Sequence, residues 1–188
     1  MLDPGHGGVD GGAVANGVVE KTVNLAIAKM VEQILTNHGA TVIMTRDQDI
    51  DYYTKGAGGK RSDLGKRIEI INQANAELFV SIHLNAINNA HMKGAQVFFG
   101  GKSAESAALA AIMQQAVKSF PPGNHRQELQ DLAILVLNET DIPGVLVECG
   151  YVTNKSEAEK LQTTEYQQRI AWQIAKGLAY HFSKKVSR

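Results

Sequence analysis

The 188-residue chain has a single cysteine, no excess of either charge and no long apolar run. One cysteine, Cys149, excludes an intramolecular disulfide and every zinc site that needs a pair of cysteines. Lysine plus arginine and aspartate plus glutamate both number 19, so the chain lacks the basic excess with which nucleic-acid binders neutralise phosphates. No apolar stretch approaches the roughly 20 residues of a membrane-spanning helix, and no signal-peptide pattern occurs. We therefore expect neither a nucleic-acid partner nor a membrane segment in this chain.

Several motifs of common enzyme classes are missing as well. The sequence contains no H-E-x-x-H helix of a zinc protease and no G-x-S-x-G elbow of a serine hydrolase. Repeats and low-complexity runs are absent, and the length suits one domain spanning residues 1–188. Because Met1 and Leu2 run directly into a D-P-G-H-G-G loop, we expect a truncated first strand. We also expect an upstream export signal or anchor that this sequence does not contain.

The spacing of apolar residues alternates between helical and strand-like along the chain. Helical spacing begins at Glu20 and at Leu64, spans the alanine-rich residues 103–120 and resumes near Thr164. Strand-like apolar runs occupy residues 41–45, 78–82, 94–99, 132–137 and 144–149. This alternation predicts an α/β fold in which a twisted, mostly parallel sheet is covered by helices on both faces. In such sheets the ligand site lies beyond the carboxyl ends of the strands.

Polar side chains with catalytic potential stand near these strand ends. His6 lies in the first glycine-rich loop, His83 follows the apolar run at residues 78–82, and Glu148 is embedded in V-L-V-E-C-G. Glu20 opens the first helix. Two histidines and a carboxylate with an open position form a familiar catalytic zinc set, and a further carboxylate can transfer the proton of a water molecule. The residue types therefore match metal-assisted amide hydrolysis.

Each of these residues also has a structural interpretation. A lone histidine after a strand is most often a hydrogen-bonded structural residue, and Glu20 could simply favour a helix N-terminus. Glu148 is harder to explain in this way, because a carboxylate among apolar strand residues is costly unless it is paired or functional. Spacing alone does not prove that the four residues meet, so both interpretations stay open. The other histidines are expected to be structural or exposed; they are His38, His91, His125 and His181.

Four motifs follow one another along the chain. They are L-D-P-G-H-G-G at residues 2–8, V-V-E-K-T-V-N-L at 18–25, V-S-I-H-L-N-A at 80–86 and V-L-V-E-C-G-Y-V-T-N at 145–154. In this order they resemble the motifs of the zinc-dependent N-acetylmuramoyl-L-alanine amidases (amidase type 3) of bacterial peptidoglycan. The resemblance implies that His6, Glu20 and His83 bind Zn²⁺, and that Glu148 is the catalytic glutamate. It also implies a phosphorylase/hydrolase-like sheet and a peptidoglycan substrate, cut at the amide between muramic acid and L-alanine.

Within that family the chain resembles the germination-specific amidases of endospore formers. The similarity rests on T-K-G-A-G-G-K-R-S-D-L-G-K-R at residues 54–67 and on S-I-H-L-N-A-I. It implies a role in maturation of the spore cortex and an extracytoplasmic location, in the cell envelope or the forespore intermembrane space. Arg67 and Asn85 are additional candidate substrate contacts. Arg67 could instead pair with a nearby acid, and Asn85 could cap a loop.

Two other functions stay open from the residues alone. One is a zinc peptidase that cuts within the stem peptide, and the other is a non-catalytic peptidoglycan-binding domain, against which Glu148 argues. A helix from an inserted segment could block such a metal site. The segment at residues 118–131 contains two prolines and is too short to supply a blocking helix as well as the connection to the next element. We therefore expect a metal site open to solvent, with control left in part to an activating protein partner.

Overall fold

A computed structural model describes residues 1–53, 59–118 and 120–186, and seven strands and six helices lie in these ranges. The strands are β1 (Leu2–Pro4), β2 (Val14–Ala15), β3 (Val18–Val19), β4 (Phe79–Asn85), β5 (Gln96–Phe99), β6 (Leu129–Gln130) and β7 (Gly144–Tyr151). The helices are α1 (Glu20–Asn37), α2 (Lys60–Gln73), α3 (Ala104–Val117), α4 (Leu135–Glu139), α5 (Lys155–Leu161) and α6 (Thr164–Val186).

The central sheet has five strands in the order β1-β4-β7-β5-β6. Strands β1, β4 and β7 are parallel to one another, whereas β5 runs antiparallel to β7 and parallel to β6. Strands β2 and β3 form a separate hairpin. The middle strands β4 and β7 are almost wholly buried, as their nearly continuous apolar sequences predict for strands covered on two faces. The predicted α/β fold with a mostly parallel sheet is confirmed.

Helices cover both faces of this sheet, and the alternation of side chains along each strand separates two apolar clusters. Ile82 on β4 and Val147 on β7 face the larger cluster, which contains the buried residues of α1, α3 and α6. Phe79 on β4 and Leu146 on β7 face the smaller cluster, which α2 and α4 complete. None of the described helices combines the length and the apolar character that crossing a bilayer requires.

The strand predicted at residues 41–45 was wrong. This segment runs along the outer edge of β1, where Leu2 N donates to Ile43 O (2.8 Å) and Thr45 N donates to Leu2 O (2.9 Å). The pairing stops at the isolated bridge between Leu2 and Met44, because Pro4, the next residue of β1 on this side, has no N–H to donate to Thr45 O. Ile43 is 41% exposed, so the run is not buried either.

The strand predicted at residues 132–137 was also wrong. Its second half forms α4, with Val136 and Leu137 buried and Leu132 exposed by 69%. The Asn138 side chain donates to Ile134 O (2.8 Å) and to Asp131 O (2.9 Å), which binds the connection to the helix. A short apolar run does not distinguish helix from strand, so local contacts such as these decide its conformation. The remaining predicted strands are present, and the first consists of the three residues of β1.

A glycine on β7 tests the packing of the sheet against the smaller cluster. A Cβ at Gly144 would lie 2.0 Å from Phe79 Cε1, and Phe79 is fully buried. We expect Gly144→Ala to lower the free energy of unfolding by about 1–3 kcal/mol, measured by urea denaturation. The matched control is Gly65→Ala in α2, where nothing lies within 4 Å of the added methyl group, and there we expect stabilisation by roughly 0.5–1 kcal/mol. Equal stability of the two variants would contradict the described packing.

Candidate active site

One row of side chains crosses the sheet at the carboxyl ends of its parallel strands. The register pairs His83 on β4 with Glu148 on β7, and Glu148 with Gln96 on β5. On the other side of β4, Gly5 N donates to Ile82 O (3.0 Å), so the chain after β1 passes beside His83. Cross-strand partners point to the same face of a sheet, and the side chains of His83, Glu148 and Gln96 therefore stand side by side.

The loop that carries His6 needs a glycine where it passes His83. A Cβ at Gly5 would lie 2.1 Å from His83 Cε1, so any side chain at Gly5 would displace the imidazole ring. His6 itself has a φ of 62°, in the left-handed region that non-glycine residues rarely adopt. This conformation turns the His6 ring back toward His83, and the two ring centroids lie 5.0 Å apart at an interplanar angle of 79°.

Two buried arginines hold the backbone of this loop in place. Arg46 donates through Nε to Pro4 O (2.9 Å) and through Nη2 to Gly5 O (3.0 Å). Arg67 donates through Nη1 to Pro4 O (2.8 Å) and through Nη2 to His6 O (2.5 Å). Loop carbonyls that no strand partner satisfies therefore find charged donors, which are among the stronger hydrogen-bond partners available in a protein.

Glu20 brings the two histidines together. Its side chain is buried, and its Oε1 lies 3.0 Å from His83 Nδ1 and 3.3 Å from His6 Nε2. The backbone orients this carboxylate, because Leu84 N donates to Oε1 (3.0 Å) and Ala13 N donates to Oε2 (2.7 Å). One donor atom from each of His6, Glu20 and His83 fits within 4.8 Å of the others. This arrangement can hold a metal ion, and two imidazoles with one carboxylate suit zinc.

Asp10 completes the environment of His6, and no sequence motif pointed to this residue. Its Oδ2 lies 2.8 Å from His6 Nδ1, which leaves Nε2 directed at Glu20. A carboxylate on the second ring nitrogen is typical of histidines that bind metals. The only available signal was an acid four residues after His6 in a glycine-rich loop. Asp10 also accepts hydrogen bonds from Lys60 Nζ (2.7 Å) and Gly12 N (3.2 Å).

The electrostatics of the cluster follow from these contacts. Burial alone lowers the pKa of His6, but its hydrogen bonds to Glu20 and Asp10 outweigh burial and the pKa is raised. Burial alone raises the pKa of Glu20, yet the hydrogen bonds with His6 and His83 outweigh it and hold the pKa well below its usual range. Glu20 is therefore ionised at neutral pH. An ionised carboxylate is the form that binds a metal.

Glu148 lies next to this cluster, but its pKa is shifted in the opposite direction from that of Glu20. It is half-buried, and its Oε2 is fully enclosed with no hydrogen-bond partner among the described residues. Burial raises the pKa of Glu148 to about 7; the negative charge of Glu20 adds to this increase, and the histidines oppose it. A carboxyl group with a pKa near neutrality can both accept and donate a proton, as general acid–base catalysis requires.

The two candidate substrate contacts are placed differently. Arg67 is only 3% exposed, and it pairs with Asp63 (2.8 Å) and Asp3 (3.0 Å) in addition to the loop carbonyls. This matches the alternative in which Arg67 pairs with a nearby acid. Asn85 is half-buried at the end of β4, and its side chain forms no hydrogen bond within the part of the chain that the structure describes. A substrate contact at Asn85 stays a prediction.

The cluster is partly open to solvent. The side chains of His6 and His83 are 24% and 19% exposed. The described part of residues 118–131 contains no helix, in keeping with the expectation that this segment supplies no plug. The motif at residues 54–67 lies partly outside the described residues, and its described part forms the first two turns of α2.

Comparison with known proteins assigns the chain to a class. The family described as N-acetylmuramoyl-L-alanine amidase (Amidase_3) matches residues 1–180. The chain belongs to the N-acetylmuramoyl-L-alanine amidase family. It is therefore an enzyme, a hydrolase whose family acts on bacterial peptidoglycan.

Individual members of the family show how similar the chain is in sequence and in structure. The germination-specific N-acetylmuramoyl-L-alanine amidase of Bacillus subtilis is 40% identical over 188 residues, which cover 98% of this chain and 79% of that protein. The CwlD amidase of Clostridioides difficile, solved in complex with the GerS lipoprotein, superposes with a TM-score of 0.92 at 35% identity, covering 97% of this chain and 96% of that chain. The amidase AmiC2 of Nostoc punctiforme has a TM-score of 0.83 at 33% identity, covering 97% and 95%. The fold and the family resemblance are thereby confirmed.

The raised pKa of Glu148 makes stability depend on pH in a defined direction. In the unfolded chain Glu148 ionises around its ordinary pKa of 4.5, whereas in the metal-free folded protein it keeps its proton to about pH 7. The folded state is therefore penalised progressively as pH rises from 4.5 to 7, by up to about 3 kcal/mol, and by a constant amount above pH 7. We expect the stability advantage of Glu148→Gln over the metal-free wild type to grow across this window in urea denaturation. A stability difference between the two proteins that stays constant between pH 4.5 and 8 would contradict the raised pKa of Glu148.

Proposed function

We propose that this chain is a zinc-dependent amidase, in which His6, Glu20 and His83 hold the metal and Glu148 carries the proton. Residues 1–188 act as one catalytic domain in this proposal. The observation that carries it is the convergence of three donor atoms beside Glu148, whose enclosed Oε2 has no hydrogen-bond partner among the residues that the structure describes. The substrate is the amide between N-acetylmuramic acid and the L-alanine of the stem peptide, which is the bond that gives the family its name.

The chain's own residues define the course of the reaction. Zinc at the three donors would supply Lewis-acid chemistry, polarising the scissile carbonyl and favouring ionisation of water. Glu148 stands in register with His83 and accepts the proton of the attacking water. It then donates that proton to the amine of L-alanine as the carbon–nitrogen bond breaks. Asp10 keeps the ring of His6 in one tautomer throughout, with Nε2 directed into the site.

The biological setting is part of the same proposal. A relative named as germination-specific and a structural neighbour solved with a lipoprotein support a role in the spore cortex and an activating protein partner. Peptidoglycan lies outside the cytoplasm, so the enzyme acts in the cell envelope or in the forespore intermembrane space. Family membership favours this function over a zinc peptidase that cuts within the stem peptide, and over a non-catalytic binding domain.

The central test separates metal binding from proton transfer. We expect the zinc-loaded protein to release intact stem peptides with a free L-alanine amino group from peptidoglycan. His83→Ala should lose the metal and the activity together. Glu148→Gln should keep stoichiometric zinc while the rate falls by roughly two to four orders of magnitude. Zinc content by elemental analysis and product identity by mass spectrometry measure both. Full zinc occupancy in His83→Ala would refute the ligand assignment, and shorter peptide fragments would indicate a peptidase.

Asp10 gives a second test, aimed at the orientation of His6. Asp10→Asn removes the charged acceptor at His6 Nδ1, and we expect zinc affinity to fall by roughly 10–100-fold. Competition with a chromophoric chelator measures the affinity. Asp141→Asn is the control, because the Asp141 side chain is 77% exposed and its one ion pair among the described residues, with Lys102, is long (3.8 Å). Unchanged affinity in Asp10→Asn would show that the contact does not orient the ligand.

A further inference from the structure

Arg126 extends the row of side chains at the candidate active site by one more residue. Its Nη1 donates to Gln96 Oε1 (2.9 Å), and Gln96 is the register partner of Glu148. Its guanidinium carbon lies 4.7 Å from the centroid of the Tyr151 ring, and Tyr151 is buried on the same strand as Glu148. The Nε of Arg126 donates to Lys93 O (2.9 Å). Three separate contacts therefore fix the position of this guanidinium.

The fixed guanidinium forms no ion pair in the part of the chain that is described, although its charge opposes the rise in the pKa of Glu157 that burial causes. No carboxylate lies within ion-pair distance of Arg126, and the nearest acceptor of its Nη2 is the Met92 Sδ at 3.7 Å, which is a weak one. The buried carboxylate of Glu157 accepts hydrogen bonds from Gly94 N and Tyr151 N instead. Arg126 is half-buried, so its remaining N–H groups are held at the surface and lack a strong partner.

Comparison with the two buried arginines makes the difference clear. Arg46 and Arg67 are at most 3% exposed, and backbone carbonyls or carboxylates occupy their donors. Their arrangement suits a structural role. Arg126 is also held in one orientation, but fewer of its N–H groups have a strong hydrogen-bond acceptor. An arginine held in one position by stacking and hydrogen bonds loses little side-chain entropy when a planar anion binds to its fork.

We propose that Arg126 binds a carboxylate of the stem peptide and thereby selects acidic substrates. The inference rests on the proposed function, because it places the scissile amide at Glu148. Gln96 and Arg126 lie outward from Glu148 along the row, and neighbouring strands are separated by roughly 5 Å. An extended peptide advances about 3.4 Å per residue, so a side chain or carboxyl group one to three residues beyond the cleaved bond reaches Arg126. Every peptide ends in a free carboxylate, so a short stem peptide can place one at this distance from the cleaved bond.

The test compares one substrate in two charge states. Soluble, uncross-linked glycan strands with stem peptides are used as isolated, and again after their peptide carboxylates have been converted to amides. We expect the zinc-loaded wild type to show a KM for the amidated strands that is higher on the order of tenfold to a hundredfold. Arg126→Gln should raise the KM for the acidic strands to that same value. It should leave kcat and the KM for amidated strands unchanged.

The controls separate binding from folding and from the proposed function itself. Arg169→Gln is the matched control, because Arg169 also lies over an aromatic ring, that of Phe120 at 5.2 Å, and its side chain is 60% exposed on α6. It should leave both KM values unchanged. The amidated strands report the integrity of the site in Arg126→Gln, so a variant that merely misfolds loses activity on both substrates. Equal losses on both substrates, or a wild type indifferent to amidation, would overturn the assignment. A wild type that cleaves neither substrate would instead refute the proposed function.

Discussion

The register between β4 and β7 is the constraint on which the candidate site depends. It places His83 opposite Glu148 on the face of the sheet that α2 and α4 cover. Side chains alternate along a strand, so a shift by one residue would turn Glu148 into the larger apolar cluster, where Val147 now packs. An unpaired carboxylate there would cost several kcal/mol, whereas Val147 gains about 1.5–3 kcal/mol from burial. The apolar residues of β7 therefore hold the carboxylate of Glu148 at its position in the candidate site.

The loop that bears His6 is held by charge rather than by a strand ladder. Arg67, Asp3 and Asp63 form a buried ion-pair network, and Arg67 also reaches the carbonyls of the loop. Buried networks of this kind are costly to assemble, but removing one member leaves an uncompensated charge, at a cost of roughly 3–5 kcal/mol. Such a network adds little net stability, but through Arg67 it holds the backbone at Pro4 and His6 in one structure. In this protein the structure that it specifies is the position of a candidate metal ligand.

Sequence patterns predicted those parts of the molecule that depend on local order. The middle strands were visible as apolar runs, and the polar residues at their ends marked the candidate site. The roles of His6 and Glu148 that the family motifs imply stay predictions. The same apolar pattern led to a wrong prediction for residues 132–137, because a short apolar run fits helix and strand alike. Asp10 and Arg126 were missed for a different reason. Their importance comes from contacts with residues distant in sequence or unremarkable in type, such as Lys60 and Gln96, and no periodicity reveals such contacts.

The hydrogen bonds from His6 through Asp10 to Lys60 connect the interior of the site with the solvent. Lys60 is 77% exposed at the first turn of α2, while the side chain of Asp10 is 17% exposed and that of His6 is 24% exposed. Dissolved ions screen the exposed ion pair between Lys60 and Asp10 more strongly than the deeper contact between Asp10 and His6. The electrostatic effect of Lys60 on this contact therefore depends on ionic strength. The hydrogen bond that orients the imidazole of His6 thus ends on a carboxylate whose outer partner, Lys60, responds to the ionic composition of the surrounding medium. For an enzyme whose family acts on peptidoglycan, that medium is the solution around the polymer.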